Sequence, residues 1–219
     1  MKITLNKNII QRIVSAFIIG ATIIYAIFGS FFIFSIIIIG ISALMIKELS
    51  DIIKSNNKDF YYSAAIILIA CFSLISIKLF KHGNLILFWF FVSIWAFDTF
   101  SMIGGKLIEG RKLAEEISPK KTWSGMISGM LFSSIIGAMT LDLTGMLDVS
   151  HYKFIILGGQ LPTILLCIFA LIGDLAESFI KRKYNVKDSG NLIPGHGGFL
   201  DRFDSILFAS PLILLLMVQ

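Results

Sequence analysis

Charged residues are scarce in this sequence, and cysteine is nearly absent. Asp, Glu, Lys and Arg make up 15% of the 219 residues, whereas hydrophobic residues make up 56% and the mean hydropathy is +0.86. Soluble globular domains carry about 25% charged residues, so the composition argues against an ordinary soluble protein and favours a membrane protein. Cys71 and Cys167 lie in apolar runs without a CxxC spacing, which predicts buried free thiols and neither a disulfide nor a metal site.

Apolar runs long enough to cross a bilayer, at about 20 residues each, recur along the chain between short polar loops. They predict an all-α polytopic transmembrane bundle of about seven spans, with roughly six to nine as the range, forming one membrane domain over 1–219. The uncharged stretch 13–46 suits a hairpin of two short, uncleaved spans that turns near Gly29 and Ser30. The other spans are predicted at 62–80, 85–103, 123–141, 154–173 and 205–218.

The distribution of basic residues predicts the orientation of this bundle. With a cytoplasmic N-terminus, sixteen of the nineteen Lys and Arg residues fall on the inner side, as the positive-inside rule requires. The net charge of +5 is therefore explained by anionic lipid headgroups, and no nucleic-acid partner is predicted. A role at the membrane surface is the interpretation for five of these residues: Lys2, Lys7, Arg12, Lys54 and Lys58.

Two groups of polar residues interrupt the apolar segments. Asp98 lies in the run FWFFVSIWAFDTFSMIGG, where an ionised carboxylate near a helix centre would cost about 3 kcal/mol. It is either a functional residue or the sign of a helix end near interfacial water. In LIGDLAESFIKRK, the residue spacing puts several polar side chains on one helix face. They are Asp174, Glu177, Ser178, Lys181 and Arg182.

The alternative for this polar face is a helix with ordinary ion pairs between residues four apart, such as Glu177 with Lys181. The functional interpretation is favoured because Asp174 directly follows a predicted span.

A glycine-rich loop, KDSGNLIPGHGGFLDRFD, precedes the last predicted span. Its glycines allow close approach of the backbone to a ligand, and Pro194 stiffens the entry. His196 has no second histidine nearby and is given no metal role. Asp201 and Asp204 either belong to a site or only cap the following helix. All these acids are predicted on the cytoplasmic face.

The loop from Gly104 to Gly125 contains a dense group of basic residues, including Lys120 and Lys121. Ser118, Pro119 and Thr122 predict a helix start before Trp123, and a helix N-terminus with adjacent lysines can bind an anion. The positive-inside bias alone remains the alternative explanation for these lysines.

Carboxylates, basic side chains and a glycine turn at one membrane face favour phosphoryl or nucleotidyl transfer. Carboxylate oxygens bind Mg²⁺ against a nucleotide, while Lys, Arg and backbone N–H groups bind phosphate oxygens. Such reactions depend mainly on positioning and charge neutralisation.

Two segments resemble a known family. The stretch SFIKRKYNVKDSGNLIPGHGGFLDRFD resembles the signature of phosphatidate cytidylyltransferases, and WAFDTFSMIGGKLIEGRKLAEEISPKKTWSG resembles their upstream pattern. The resemblance implies that CTP reacts with phosphatidic acid to give CDP-diacylglycerol and pyrophosphate, and that Mg²⁺ is the cofactor. It also implies a K⁺ ion near the site and a homodimer. Ser124 stands where related sequences often have Glu, and the apolar region before Asp98 is shorter than in many relatives.

The resemblance and the pattern together give the expected site. The N-terminal spans occupy 1–94, and the catalytic spans and cytoplasmic loops occupy 95–219. Asp174 and Asp201 are the expected metal ligands, with Asp98, Glu177 and Asp204 as further candidates. The expected catalytic residues are Asp98, Asp174, Lys181 and Asp201. The expected substrate-binding residues are Lys120, Lys121, Ser178, Arg182, Lys187, Asp188, Gly195, His196, Gly197, Gly198 and Arg202.

The expected partners are CTP, phosphatidic acid and the lipids of a bacterial cytoplasmic (inner) membrane, with the site facing the cytoplasm. Three alternatives stay open: a CTP-dependent polyprenol kinase, an anion transporter in which Asp98 and the basic loops line a pathway, and a purely structural membrane subunit.

Overall fold

The computed structural model describes residues 7–53, 55–145, 160–195 and 197–218 of the chain. These residues form seven helices and one two-stranded sheet, which agrees with the predicted all-α bundle. The helices are α1 (Lys7–Phe28), α2 (Phe31–Ile52), α3 (Lys58–Leu79), α4 (Gly83–Leu107), α5 (Trp123–Leu143), α6 (Gln160–Lys183) and α7 (Leu200–Val218). The strands are β1 (Lys112–Ala114) and β2 (Ser118–Thr122).

Six of the seven described helices, α1 to α6, are long and apolar enough to cross a membrane. The last helix differs because Asp201, Arg202 and Asp204 lie in its first turns. Its apolar remainder, 205–218, covers about 21 Å, whereas a bilayer core is about 30 Å thick. The seventh predicted span is thus a helix, but a short one. Residues 154–159 of the sixth predicted span lie outside the described residues.

The predicted N-terminal hairpin is confirmed. Helix α1 ends at Phe28, and Ser30 caps α2 by accepting a hydrogen bond from the Ile33 amide at 3.3 Å. The Lys78 ammonium, from α3, donates to the carbonyls of Ile27 and Gly29 at the end of α1. The Ile27 carbonyl belongs to the last turn of α1, where the helix leaves carbonyls unpaired, and the Gly29 carbonyl belongs to the turn itself, so Lys78 stabilises the hairpin turn.

Small residues allow α4 and α5 to pack closely. Four small buried residues recur every four positions along α5: Gly125, Gly129, Ser133 and Gly137. A Cβ atom at Gly129 would lie 2.0 Å from the Ser101 hydroxyl and 2.9 Å from the Phe97 carbonyl. Close approach through small residues is the usual mode of helix packing in membranes. It fixes the stretch of α4 that carries Asp98.

The basic loop between α4 and α5 folds into an antiparallel hairpin that the sequence did not predict. Lys112 lies opposite Thr122, and Ala114 lies opposite Ser118. Thr122 ends β2 and caps α5, because its hydroxyl accepts a hydrogen bond from the Gly125 amide at 3.1 Å. The predicted helix start before Trp123 is confirmed. The cap also fixes Lys121 at the entrance to α5.

The predicted burial of the cysteines is confirmed for one of the two. Cys71 and Cys167 are free thiols; Cys167 is buried in the core, whereas Cys71 is only partly buried. That core is rich in aromatic and branched aliphatic side chains, with Phe34, Trp89 and Phe90 at most 1% exposed.

Candidate active site

The polar face predicted for LIGDLAESFIKRK lies near the end of α6. Glu177 and Ser178 are buried, whereas Asp174 and Lys181 are partly buried. The Ser178 hydroxyl donates to the Asp174 carboxylate at 3.4 Å. Arg182 is exposed, and its Nε donates to the Ile117 carbonyl of the basic loop at 3.4 Å. The face therefore joins α6 to the hairpin as well as presenting acids to the bundle.

Lys181 links two helices. Its ammonium lies 2.5 Å from Glu177, the predicted ion pair within α6, and 2.6 Å from Asp201 on α7. The ordinary ion pair and the functional interpretation are therefore both compatible with the geometry. The second contact brings the acidic end of α6 against the start of α7.

Asp201 organises the glycine-rich loop. One carboxylate oxygen pairs with Lys181, and the other accepts hydrogen bonds from the amides of Ser189 (2.8 Å) and Gly198 (2.9 Å). The Ser189 hydroxyl oxygen lies 2.9 Å from the same carboxylate oxygen. Burial raises the pKa of Asp201, but the hydrogen bonds from Lys181 and the loop outweigh it, and the pKa lies below the ordinary value. A Cβ atom at Gly197 would lie 2.8 Å from this carboxylate. The glycines thus let the loop fold tightly around Asp201.

Asp98 faces the same region from α4. Its carboxylate accepts a hydrogen bond from the Ser205 hydroxyl of α7 at 3.4 Å. It interacts electrostatically with Asp174, Lys121 and Arg202. Asp98 is exposed at the protein surface, and α4 continues past it to Leu107, so no helix end lies next to it.

The β1–β2 hairpin contributes Lys121. Its ammonium forms an ion pair with Asp174, so β2 is tied to α6 at the site. The neighbouring Lys120 is exposed. The two predicted anion-binding lysines therefore differ: one lies in the site, and the other lies at its surface.

Asp204 completes the group of acids. It experiences the like charges of Asp174, Glu177 and Asp98. Helices α6 and α7 approach closely here, because a Cβ atom at Gly173 would lie 2.4 Å from the Asp204 carbonyl oxygen. Elements α4, β2, α6 and α7 thus bring predicted acids and bases from distant parts of the sequence to one place.

Other predicted residues lie at the margin of this group. Lys187, Asp188 and Arg202 are exposed. The Gly195 carbonyl accepts a hydrogen bond from the Arg12 Nε at 2.9 Å. His196 lies outside the described residues.

Glu48 on α2 is a residue of the site region that the sequence analysis missed. It is only 2% exposed and accepts three hydrogen bonds: from the Ser189 hydroxyl (3.1 Å) and from the amides of Phe199 and Leu200 (both 2.9 Å). These amides belong to the N-terminus of α7, where a carboxylate is favoured. Since Ser189 bonds to both Glu48 and Asp201, Glu48 positions the loop that holds Asp201.

Arg12 and Ser15 on α1 also hold the glycine-rich loop. The Ser15 hydroxyl donates to the Pro194 carbonyl at 2.9 Å, beside the contact of Arg12 with Gly195. The interpretation of Arg12 as only a membrane-surface residue therefore left out a specific contact. No motif could have indicated it, because the partners are backbone carbonyls 179 or more positions away.

The acids do not form a finished metal site in the described part of the chain. No three His, Cys, Asp or Glu side chains there are grouped closely enough to hold a metal ion as they stand. Instead, Asp174 holds the ammonium of Lys121, and Asp201 holds that of Lys181. The donor chemistry nevertheless suits a hard cation, because carboxylates from α4, α6 and α7 are near enough to influence one another electrostatically.

Comparison with known proteins identifies the family. A family model described as the cytidylyltransferase family matches residues 60–219. The chain belongs to the cytidylyltransferase family. It is 39% identical to the phosphatidate cytidylyltransferase of Rickettsia typhi over 210 residues, which are 94% of this chain and 90% of that protein. It is 38% identical to the enzyme of that name from Rickettsia conorii over 216 residues, covering 97% and 92% of the two chains. A protein of the same name from Bacillus subtilis is 39% identical over 137 residues, or 63% of this chain and 49% of its own length.

The family match covers all the acids and lysines of the site but begins after α2. In this member of the cytidylyltransferase family, Arg12, Ser15 and Glu48 thus support the glycine-rich loop from outside the matched segment.

Proposed function

We propose that this chain transfers CMP from CTP to phosphatidic acid, which gives CDP-diacylglycerol and pyrophosphate. The observation that carries the proposal is the meeting of carboxylates and lysines from α4, β2, α6 and α7 at one end of a helical bundle. Membership of the cytidylyltransferase family and the names of the Rickettsia and Bacillus relatives support the choice of reaction.

In the proposed reaction, a phosphate oxygen of phosphatidic acid attacks the α-phosphorus of CTP. The bond from that phosphorus to the bridging oxygen of the β-phosphate breaks, and pyrophosphate leaves. No protein nucleophile is required, so the protein contributes positioning and charge neutralisation. Lys121 and Lys181 are the best placed cations for the phosphate oxygens because both lie inside the group of acids.

The charge of the site favours a divalent cation. It contains five carboxylates and three cationic side chains: Asp98, Asp174, Glu177, Asp201 and Asp204, with Lys121, Lys181 and Arg202. If all are ionised, two negative charges remain. Mg²⁺ prefers carboxylate and phosphate oxygens, and Asp174 and Asp201, with Asp98, Glu177 and Asp204 nearby, would hold it. When bound, it would neutralise the nucleotide phosphates.

The two lysines have a second role in this proposal. Each is now paired with a carboxylate, Lys121 with Asp174 and Lys181 with Asp201. If a cation were held by Asp174 and Asp201, each ammonium would be available for a phosphate oxygen of a substrate. The lysines would thus exchange a carboxylate partner for a phosphate partner. The K⁺ ion and the homodimer implied by the family resemblance remain predictions.

The membrane location suits this pair of substrates. The acyl chains of phosphatidic acid stay in the bilayer while its phosphate reaches the bundle end, where CTP arrives from the cytoplasm. The bias of Lys and Arg supports a cytoplasmic site in the inner membrane.

Purified protein supplied with phosphatidic acid, Mg²⁺ and labelled CTP tests the reaction. Label in the cytosine should appear in the lipid, and label in the γ-phosphate should appear in pyrophosphate. A CTP-dependent polyprenol kinase would instead put the γ-phosphate into a polyprenol and leave cytosine in solution. That result would replace the proposed reaction with the kinase.

Two variants test the site. Asp174→Asn keeps the side-chain size but removes the charge that faces the α4 and α7 acids, and we expect loss of CMP transfer on the order of 10³-fold. Asp142→Asn is the control, because Asp142 is exposed near the other end of α5. Equal activity of both variants would refute the assignment of Asp174.

A further inference from the structure

A cavity of about 220 Å³ lies beside the candidate active site, between α2, α3, α6 and α7. Most of its lining is aliphatic or aromatic, including Leu49, Ile66, Ile180, Leu207 and Phe208. The volume is below the roughly 300 Å³ of a pocket for a whole drug-sized ligand. It suits part of one apolar chain.

The cavity is continuous with the site. Glu177 and Lys181 belong both to its lining and to the ion-pair network with Asp201. Gly173, which also lines it, directly precedes Asp174 and packs against the backbone of Asp204. A molecule in the cavity would therefore have one end next to the carboxylates.

The mouth of the cavity faces the side of the bundle. Tyr62 on α3 and Phe179 on α6 line it and are 69% and 50% exposed. Both belong to helices apolar enough to span a membrane, and each lies four residues from a helix end, so we expect these side chains where lipid meets water. Asp59, at the start of α3, lines the cavity as well and pairs with Lys183 at 2.5 Å. This ion pair connects the ends of α3 and α6.

We propose that this cavity, here called the lateral cavity, holds the proximal part of one acyl chain of the lipid substrate. The proposal rests on the proposed function and adds the place where the lipid tail binds. The occupant is a diacyl lipid with a phosphate headgroup, because the cavity joins an apolar, membrane-facing mouth to the cationic and acidic groups of the site. Because the bilayer is as apolar as the cavity, binding of the acyl chain there adds little affinity. Its main effect is to orient the headgroup in the site.

Variants that fill the lateral cavity test this role. Ala176→Phe and Ile66→Trp place bulk in the cavity from two different helices. Ile172→Phe and Leu68→Trp are matched controls on the same helices, because both positions are exposed and neither lines the cavity. Each protein is assayed with dioleoyl phosphatidic acid and with water-soluble dihexanoyl phosphatidic acid.

We expect the filling variants to lose kcat/KM for the dioleoyl substrate by on the order of tenfold or more, since misplacement of a reacting group by about 1 Å costs up to about 100-fold. Their kcat/KM for the dihexanoyl substrate, whose short chains need not enter the cavity, should stay close to that of the controls. Unchanged kcat/KM for both substrates would overturn the proposal. Absence of any CTP-dependent product from the unmodified protein would instead refute the proposed function.

A binding measurement on the unmodified protein does not depend on turnover or on variant folding. Phosphatidic acid with a diazirine near the carboxyl end of one acyl chain is added to the protein in nanodiscs and photoactivated. Crosslinks should fall on cavity residues of α3 and α6 and should be suppressed by unlabelled phosphatidic acid more than by phosphatidylcholine. Crosslinks confined to lipid-facing residues such as Leu68 and Phe72, or equal suppression by both lipids, would contradict the assignment.

Discussion

The role of Glu48 gives a prediction that can be worked out from the structure. Replacing Glu48 with Ala removes the acceptor of three hydrogen bonds, from the Ser189 hydroxyl and the amides of Phe199 and Leu200. A buried donor left without a partner costs about 1–3 kcal/mol, and loss of a helix cap typically costs about 1 kcal/mol. The two amides lose this acceptor together, whereas the Ser189 hydroxyl keeps Asp201 within 2.9 Å, so we expect Glu48→Ala to lower the free energy of unfolding by about 3 kcal/mol.

The catalytic effect should accompany this loss of stability. Ser189 lies between Glu48 and Asp201, so the loop around Asp201 loses one of its supports. A shift of about 1 Å in a catalytic group can cost on the order of 100-fold in rate. We therefore expect kcat to fall by about that factor, with a smaller change in KM for CTP.

Thermal unfolding of purified protein in detergent and steady-state CMP transfer, both well below the unfolding temperature, measure these effects. Glu48→Gln retains one acceptor oxygen and should recover part of both losses. Asp51→Asn is the matched control, because Asp51 lies one turn further along α2 and is exposed. Wild-type unfolding temperature and wild-type kcat in Glu48→Ala would refute the reasoning.

Two further substitutions examine the elements around the site. Lys121→Met removes the partly buried ammonium that pairs with an α6 carboxylate, and we expect CMP transfer to fall by about 100-fold. Lys120→Met, at the exposed neighbour, should retain most activity. Equal effects of the two substitutions would show that only surface charge matters. Gly129→Leu should force α4 and α5 apart and destabilise the protein by about 1–3 kcal/mol in thermal unfolding. Gly40→Leu is the control and should leave stability unchanged, because a Cβ there meets nothing within 4 Å. Comparable unfolding temperatures for the two glycine variants would contradict the packing argument.

The parts of the fold that follow from local chemistry could be predicted. The uncharged stretch 13–46 is too long for one span, and Gly29 and Ser30 mark its turn, so the hairpin was predictable. The 3.6-residue period likewise placed Asp174, Glu177 and Lys181 on one face of α6. Thr122 indicated the start of α5 because threonine is a favoured residue at the N-cap of a helix.

The contacts that cross the bundle could not be predicted in the same way. Helix α2 is apolar on nearly all sides, so its pattern does not indicate that Glu48 lies on the buried face. The partners of Glu48 are a serine hydroxyl and two backbone amides more than 140 positions away, which have no sequence signature. The same reason applies to Arg12, whose partner is the Gly195 carbonyl.

The glycines of the loop are required by the packing of the protein itself as well as by the predicted approach to a ligand. Their spacing indicated a backbone that approaches a ligand. In the structure, a Cβ at Gly198 would lie 2.1 Å from the Ser189 hydroxyl and 2.4 Å from the Glu48 carboxylate. The Gly198 amide also donates to Asp201. Close packing against the protein's own carboxylates therefore requires a glycine there before any ligand binds.

The central claim is that the converging acids and lysines form a site for CMP transfer to a phospholipid. Pyrophosphate release by the purified protein, with phosphatidic acid and Mg²⁺ and with CTP, ATP, GTP or UTP in turn, tests it most directly. We expect release with CTP that requires both the lipid and the cation, and little release with the other nucleotides. Release that does not depend on phosphatidic acid, or a nucleoside diphosphate as the product in place of pyrophosphate, would contradict the account.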